Sequence, residues 1–256
     1  MLRLAALSCL LTLLLALACD NGTPGPASVR IAQFIPDAVD ALDICLRPDG
    51  TATFSGKFVQ QGGLGFASTS ARASVDAGTY SLRIVAASAS DCSTSYQGLG
   101  DIGNIQIAAD FPQTVALMGR LAGTGAGGVG VRTYTDNLTA PPSPGVNLRF
   151  AHASPELGSV DVGSVSGNTF LPLNPAVTLT YPSESPYTSY TGGVSNATIG
   201  LLDTGTTNLR LSGSFSVAGG TSATVFIVGR PSQTSGDSRL SFLRCPEASS
   251  DCQRFP

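Results

Sequence analysis

The chain has no Trp, a single His, a single Lys and two Met, and only 12% of its 256 residues are charged. An average soluble domain carries roughly a quarter, so Ser, Thr, Gly and Asn must build most of this surface. Fourteen basic residues stand against 17 acidic ones with no basic run, which leaves a phosphate backbone little to hold and excludes nucleic acid as an expected partner. With one His and one Lys the chain is poorly supplied with general acid–base groups and with metal ligands. No metal and no cofactor are expected. Beyond residue 17 no apolar run approaches the roughly 20 residues of a bilayer span.

What is present begins at the N-terminus. Residues 1–19 read MLRLAALSCLLTLLLALAC, with Arg3, then an uncharged apolar stretch over 4–17, then small residues. That pattern is a secretory signal, too short for a permanent membrane helix. It ends Ala16-Leu17-Ala18-Cys19, which resembles a bacterial lipobox. The expectation is a signal peptide over 1–18, lipidation of Cys19, and a flexible tether over 19–27. Ordinary cleavage near Ala18 is the alternative, leaving Cys19 free or paired. With Cys9 and Cys19 set aside, Cys45, Cys92, Cys245 and Cys252 remain, an even number that in an exported chain implies two disulfides. Three connectivities are open. Pairing within each half, Cys45 with Cys92 and Cys245 with Cys252, is the expected one.

Self-comparison divides the rest. VRIAQFIPD at 29–37 matches LRFAHASPE at 148–156, DAGTYSLRI at 76–84 matches DTGTTNLRL at 203–211, and TVALMGR at 114–120 matches TVFIVGR at 224–230. The order is kept and the offsets of 119, 127 and 110 differ by loop lengths. This reads as a tandem duplication: a first copy over 28–137, a Pro-rich, fairly stiff and extended linker over 138–145, and a second copy over 146–256. Apolar residues alternate with polar ones at Val29, Ile31; Tyr80, Leu82, Ile84; and Leu209, Leu211, predicting strands with one buried and one wet face. The unbroken apolar runs 115–118 and 225–228 predict central strands. No helical stripe is convincing. The fold expected is all-β: two tandem immunoglobulin-like or transthyretin-like β-sandwiches of about seven strands each, after a signal peptide. Arg30 with Asp43, and Arg149 with Asp161, fall on the polar faces of consecutive strands and are expected to pair across them as a register device.

The segments IAQFIPD at 31–37 and FAHASPE at 150–156, each followed by an apolar-Asp-apolar strand, resemble a bacterial family known as domain of unknown function 4397. Its pattern is a strand, a His-Ala-Ser-Pro-like turn and Val-Asp-Val. The resemblance covers nearly the whole chain after the signal, as two copies, and implies an exported, often lipid-anchored β-rich surface protein with no established activity. The second copy has His152, Ala153, Ser154 and Pro155 where the first has Gln33, Phe34, Ile35 and Pro36, so only Pro and the following acid are shared.

Sites of chemistry are few. His152 and Ser154, two apart on an extended strand, share a face and suggest a hydrolase pair, but a third, orienting group is not identifiable and the sister copy has Gln. A turn residue that hydrogen-bonds locally is the plainer reading. The glycine-rich stretch over 122–130 is followed by a strand and not a helix, so it reads as a hairpin loop and not a phosphate cradle. Asp37, Asp40 and Asp43 lack the spacing of a calcium loop. The loop over 181–193 gathers Tyr181, Tyr187 and Tyr190, half of the six Tyr, and is the candidate binding loop for a sugar or peptide surface; packing at the end of a sandwich is its alternative. The function expected is that of a non-enzymatic lipoprotein, exported and lipid-anchored through Cys19 to a bacterial cell envelope, at the outer membrane or cell surface. It would serve as a binding, adhesion or structural module whose partners are the membrane and, further out, a glycan, peptidoglycan or another surface protein. A surface hydrolase using His152 and Ser154 is the alternative.

Overall fold

The structure, a computed structural model, describes residues 25–59, 62–167, 169–192 and 194–255. The signal segment, Cys9, Cys19 and most of the tether lie outside them. Among the described residues the regular structure is strand, apart from two single 3-10 turns. The first half contains β1 (Ala27–Gln33), β2 (Leu42–Pro48), β3 (Ser68–Thr69), β4 (Ala73–Val75), β5 (Gly78–Ala86), β6 (Ile102–Ile107), β7 (Gln113–Met118) and β8 (Gly130–Thr135). The second contains β9 (Val146–His152), β10 (Val160–Ser166), β11 (Thr169–Leu179), β12 (Thr188–Tyr190), β13 (Val194–Asp203), β14 (Leu209–Val217), β15 (Thr221–Val228), β16 (Ser241–Pro246) and β17 (Gln253–Phe255).

Four sheets form. In the first half β3-β1-β7-β8, with β4 also on β1, faces β2-β5-β6; in the second β12-β9-β15-β16-β17 faces β11-β10-β13-β14. Each half has a parallel pair at its centre, β1 with β7 and β9 with β15. The apolar runs 115–118 and 225–228 lie in β7 and β15, inner strands of their sheets, as their two-faced apolarity requires. One core lies between the paired sheets of each half. Val29, Ile31, Val115 and Leu117 meet Leu42, Ile44, Leu82 and Ile84 in the first, and Leu148, Phe150, Val225 and Ile227 meet Val160, Val162, Leu201 and Phe215 in the second.

The central sheets are not wet on their other face. Period-2 alternation sends Ala32, Ala116 and Met118 of the first half, and Ala151, Phe226 and Val228 of the second, into a third apolar cluster that joins the halves. Phe226 packs on Phe34 and Tyr134 with ring centroids 4.9 and 5.4 Å apart. The molecule is therefore a stack of four sheets whose two inner layers are covered on both sides. The polar residues between the apolar ones, Arg30 and Arg149 among them, are buried between the halves; polar alternation alone does not distinguish water from a polar seam.

Three further expectations are corrected. Arg30 does not pair with Asp43, nor Arg149 with Asp161, because β1 and β2, like β9 and β10, belong to different sheets. Asp43 instead accepts from the Ile44 and Val59 amides, and Asp161 accepts from Thr178. The match between 76–84 and 203–211 joins non-equivalent strands. β5 is held between β2 and β6, whereas β14 is an edge strand beside β13; a Gly turn followed by an alternating strand suits any tight antiparallel connection. The segment over 138–145 is not an extended spacer: Gly145 turns back on Pro142, and the Thr139 and Gly145 carbonyls accept from Ser222 and Gly220.

Candidate functional site

A dense cluster of buried polar side chains lies in the seam between the two inner sheets. Arg30 and Arg149 occupy seam-facing positions of β1 and β9, Thr114 and Thr224 those of β7 and β15, and Asp136 and Glu247 follow directly after β8 and β16. Parallel pairing sets Arg30 beside Thr114 and Arg149 beside Thr224. Each Arg Nε donates to its neighbouring Thr Oγ1, at 2.7 and 2.9 Å. Each Thr hydroxyl donates to the acid of its own half, Thr114 to Asp136 at 2.6 Å and Thr224 to Glu247 at 2.5 Å. The guanidinium ends then cross over. Arg30 Nη2 reaches Glu247 at 2.7 Å and Arg149 Nη2 reaches Asp136 at 2.9 Å. The same triad thus appears twice and exchanges its ion pair reciprocally.

Arg72 joins from the first half, 2.6 Å from Asp136, so three cations face two carboxylates. Backbone carbonyls absorb the excess: Arg30 donates to the Pro246 and Ser249 carbonyls, Arg149 to that of Thr135, and Arg72 to those of Ser28, Gln113 and Glu247. Charges removed from water persist only with such complete partnering. Burial lowers the Arg30 pKa, opposed by Asp136 and Glu247. Burial raises that of Glu247, Asp136 adds to the rise, and Arg30 opposes it. The Tyr187 hydroxyl closes the cluster by donating to Glu247 at 2.6 Å, and the Arg149 guanidinium lies 4.6 Å from the centre of its ring. What this arrangement can do chemically is hold two halves in one register.

His152 and Ser154 do not form a nucleophile–base pair. The Ser154 hydroxyl donates to the Gly229 carbonyl at 2.6 Å. The imidazole lies between the Gly158 carbonyl, 3.0 Å from Nε2, and the Ser154 amide, 3.4 Å from Nδ1, which assigns the Nε2–H tautomer. Burial lowers its pKa. In the first half Gln33 Oε1 accepts from the Ile35 amide at 2.5 Å, the same local bond from the same position. The acids after the shared prolines are also engaged: Glu156 holds Arg120 at 2.8 Å and Arg230 at 3.0 Å, and Asp37 accepts from the Leu121 amide.

The model of the family described as Domain of unknown function (DUF4397) matches residues 27–163. The chain belongs to that family. The DUF4397 match takes in β1 to β9 and the opening of β10, so it contains Arg30, Thr114, Asp136 and Arg149 of the seam. No curated protein matches the chain.

The remaining sites of this DUF4397 chain are placed as follows. Tyr181, Tyr187 and Tyr190 are each partly buried. Tyr181 packs edge-on to His152 with ring centroids 6.0 Å apart, Tyr187 belongs to the seam, and Tyr190 packs against the second core. A cavity of about 560 Å³ is lined by Glu156, Ser159, Asp203, Arg210 and Ser232 among others, and by none of these tyrosines. Cys45 is bonded to Cys92 and Cys245 to Cys252. Residues 122–130 connect two antiparallel strands, β7 and β8. Among the described residues no group of three or more His, Cys, Asp or Glu is placed to hold a metal, and no helix is long and apolar enough to cross a membrane. Thr114, Thr224, Asp136 and Glu247 were not singled out from sequence. Their signal was available: each acid follows the Thr that opens a matched TV-x-x-x-GR segment by 22 or 23 residues.

Proposed function

We propose that the chain is a non-enzymatic envelope lipoprotein: a signal peptide over 1–18, a lipid on Cys19, a tether over 19–27, and two copies of the DUF4397 domain acting as one surface binding, adhesion or structural module. The reciprocal seam carries this reading. The polar residues that recur in both halves, Arg, Thr and an acid, are spent on joining the halves, and the lone imidazole does the work of a glutamine. Such placement suits a scaffold better than a reaction centre. The twofold reading draws further support from the strand plan, since β1, β2, β5, β6, β7 and β8 pair among themselves as β9, β10, β13, β14, β15 and β16 do.

Two measurements test the proposal. Metabolic labelling with a palmitate analogue should mark the wild-type chain and leave Cys19→Ala unmarked; an unlabelled wild type would remove the anchor. The purified chain should bind in a panel of glycans, peptidoglycan and envelope proteins, or bind nothing and act structurally, while releasing no product from generic ester substrates. Ester turnover lost in both His152→Gln and Ser154→Ala would establish the hydrolase instead.

A further inference from the structure

The ring closed by Cys245 and Cys252 is the piece of the second half that the first half holds. Within its eight residues lie the Glu247 carboxylate, 2.7 Å from Arg30, and the Pro246 and Ser249 carbonyls, 2.9 and 3.0 Å from the same guanidinium. The Glu247 carbonyl accepts from Arg72, and the Ser250 carbonyl and Cys252 Sγ lie 3.2 Å from Thr69 Oγ1. All of these contacts fall on residues inside the ring or on its closing cysteine. The opposite half of the exchange, Arg149 with Asp136 and the Thr135 carbonyl, involves no cystine. Cys45–Cys92 lies elsewhere: Cys45 is in β2, in the outer sheet of the first half.

We infer that Cys245–Cys252 is a thiol-addressable latch that sets how tightly the two halves are coupled. Cys245 is fully buried and Cys252 is partly exposed, which assigns the attack of a thiolate to the Cys252 sulfur. Attack there forms a mixed disulfide and expels Cys245 as a thiolate, which takes up a proton. The second thiol of a dithiol reductant then displaces Cys252 as a free thiol, and the reductant leaves as its own disulfide. Two electrons pass from reductant to protein. The opened segment gains the freedom of an ordinary loop, and Arg30, Arg72 and Thr69 lose a fixed set of acceptors. The Asp136 side of the seam stays in place, so the halves loosen at one end.

The test uses the full oxidised chain, the same chain after a dithiol reductant with alkylation and mass mapping to show which bond has opened, and the C245S/C252S and C45S/C92S variants. Amide hydrogen exchange is read over β1 and residues 68–75. Opening Cys245–Cys252, by reduction or by C245S/C252S, should speed exchange there at least tenfold, and C45S/C92S should leave those amides unchanged. Should C245S/C252S fail to fold, selective reduction of the folded wild type decides the matter. Protection of β1 and 68–75 that is the same with Cys245 and Cys252 alkylated overturns the latch, as does equal loosening in C45S/C92S.

Discussion

At the bend that leaves β9, one side-chain acceptor serves the backbone amide two residues on, and in the first half a glutamine fills the same place. His152→Gln should therefore fold normally and lose no more than about 1 kcal/mol at pH 8, the centre of the range for single substitutions, since the acceptor for the Ser154 amide is kept. The pH dependence should change. Burial holds the folded imidazole below its ordinary value of about 6.5, so the unfolded chain binds the proton more readily and wild-type stability is lost as pH falls below that value. Urea midpoints at pH 8 and pH 5.5 should show a smaller drop in His152→Gln; an equal drop would mean that the imidazole is not the group responsible. The role of His152 was legible in the sequence because the aligned Gln33 offers an acceptor of similar reach. That of Arg30 was not: an Arg between Val29 and Ile31 has the same pattern whether its face meets water or a second sheet.

For the strands, the deciding property is that β1, β7, β9 and β15 have two covered faces. Arg30→Ala should cost about 3–5 kcal/mol, because it takes from Glu247 its nearest cation and from the Pro246 and Ser249 carbonyls their guanidinium donor in the seam. Combining it with Glu247→Ala should cost less than the sum of the two single changes, since the partner left behind is then gone as well. Denaturant unfolding of the four proteins in this cycle measures the coupling, and strict additivity would show that the pair contributes nothing. Strand existence and the central place of 115–118 and 225–228 were readable from apolar period and run length. The equivalence of β5 with β13, and not with β14, was not readable, because a DxGT turn followed by an alternating strand carries no mark of which neighbours it will have.

As a whole the molecule is four sheets deep, and its halves share an apolar cluster as well as charges. A shared core makes unfolding a joint event, so calorimetry of the oxidised chain should give a single transition. Residues 25–137 expressed alone would bare Phe34, Met118, Tyr134 and Arg30, and should self-associate or fail to fold in sedimentation measurements; two separate transitions, or a stable monomeric half, would contradict this. The matched segments of the two halves were visible in the sequence, but the halves looked like beads on a spacer because no pattern within one half announces a face meant for the other. The parallel pairing of β1 with β7 also has a consequence in time. As the chain leaves the ribosome, β1 must wait for β7, whose residues begin 80 positions after its last, and Arg30 must wait for an acid 217 residues away. Late, distant pairings of this kind slow folding and leave early segments open to aggregation. The earliest of the described strands in chain order is thus among the last to be seated, and it is the segment a holding chaperone would have to shelter.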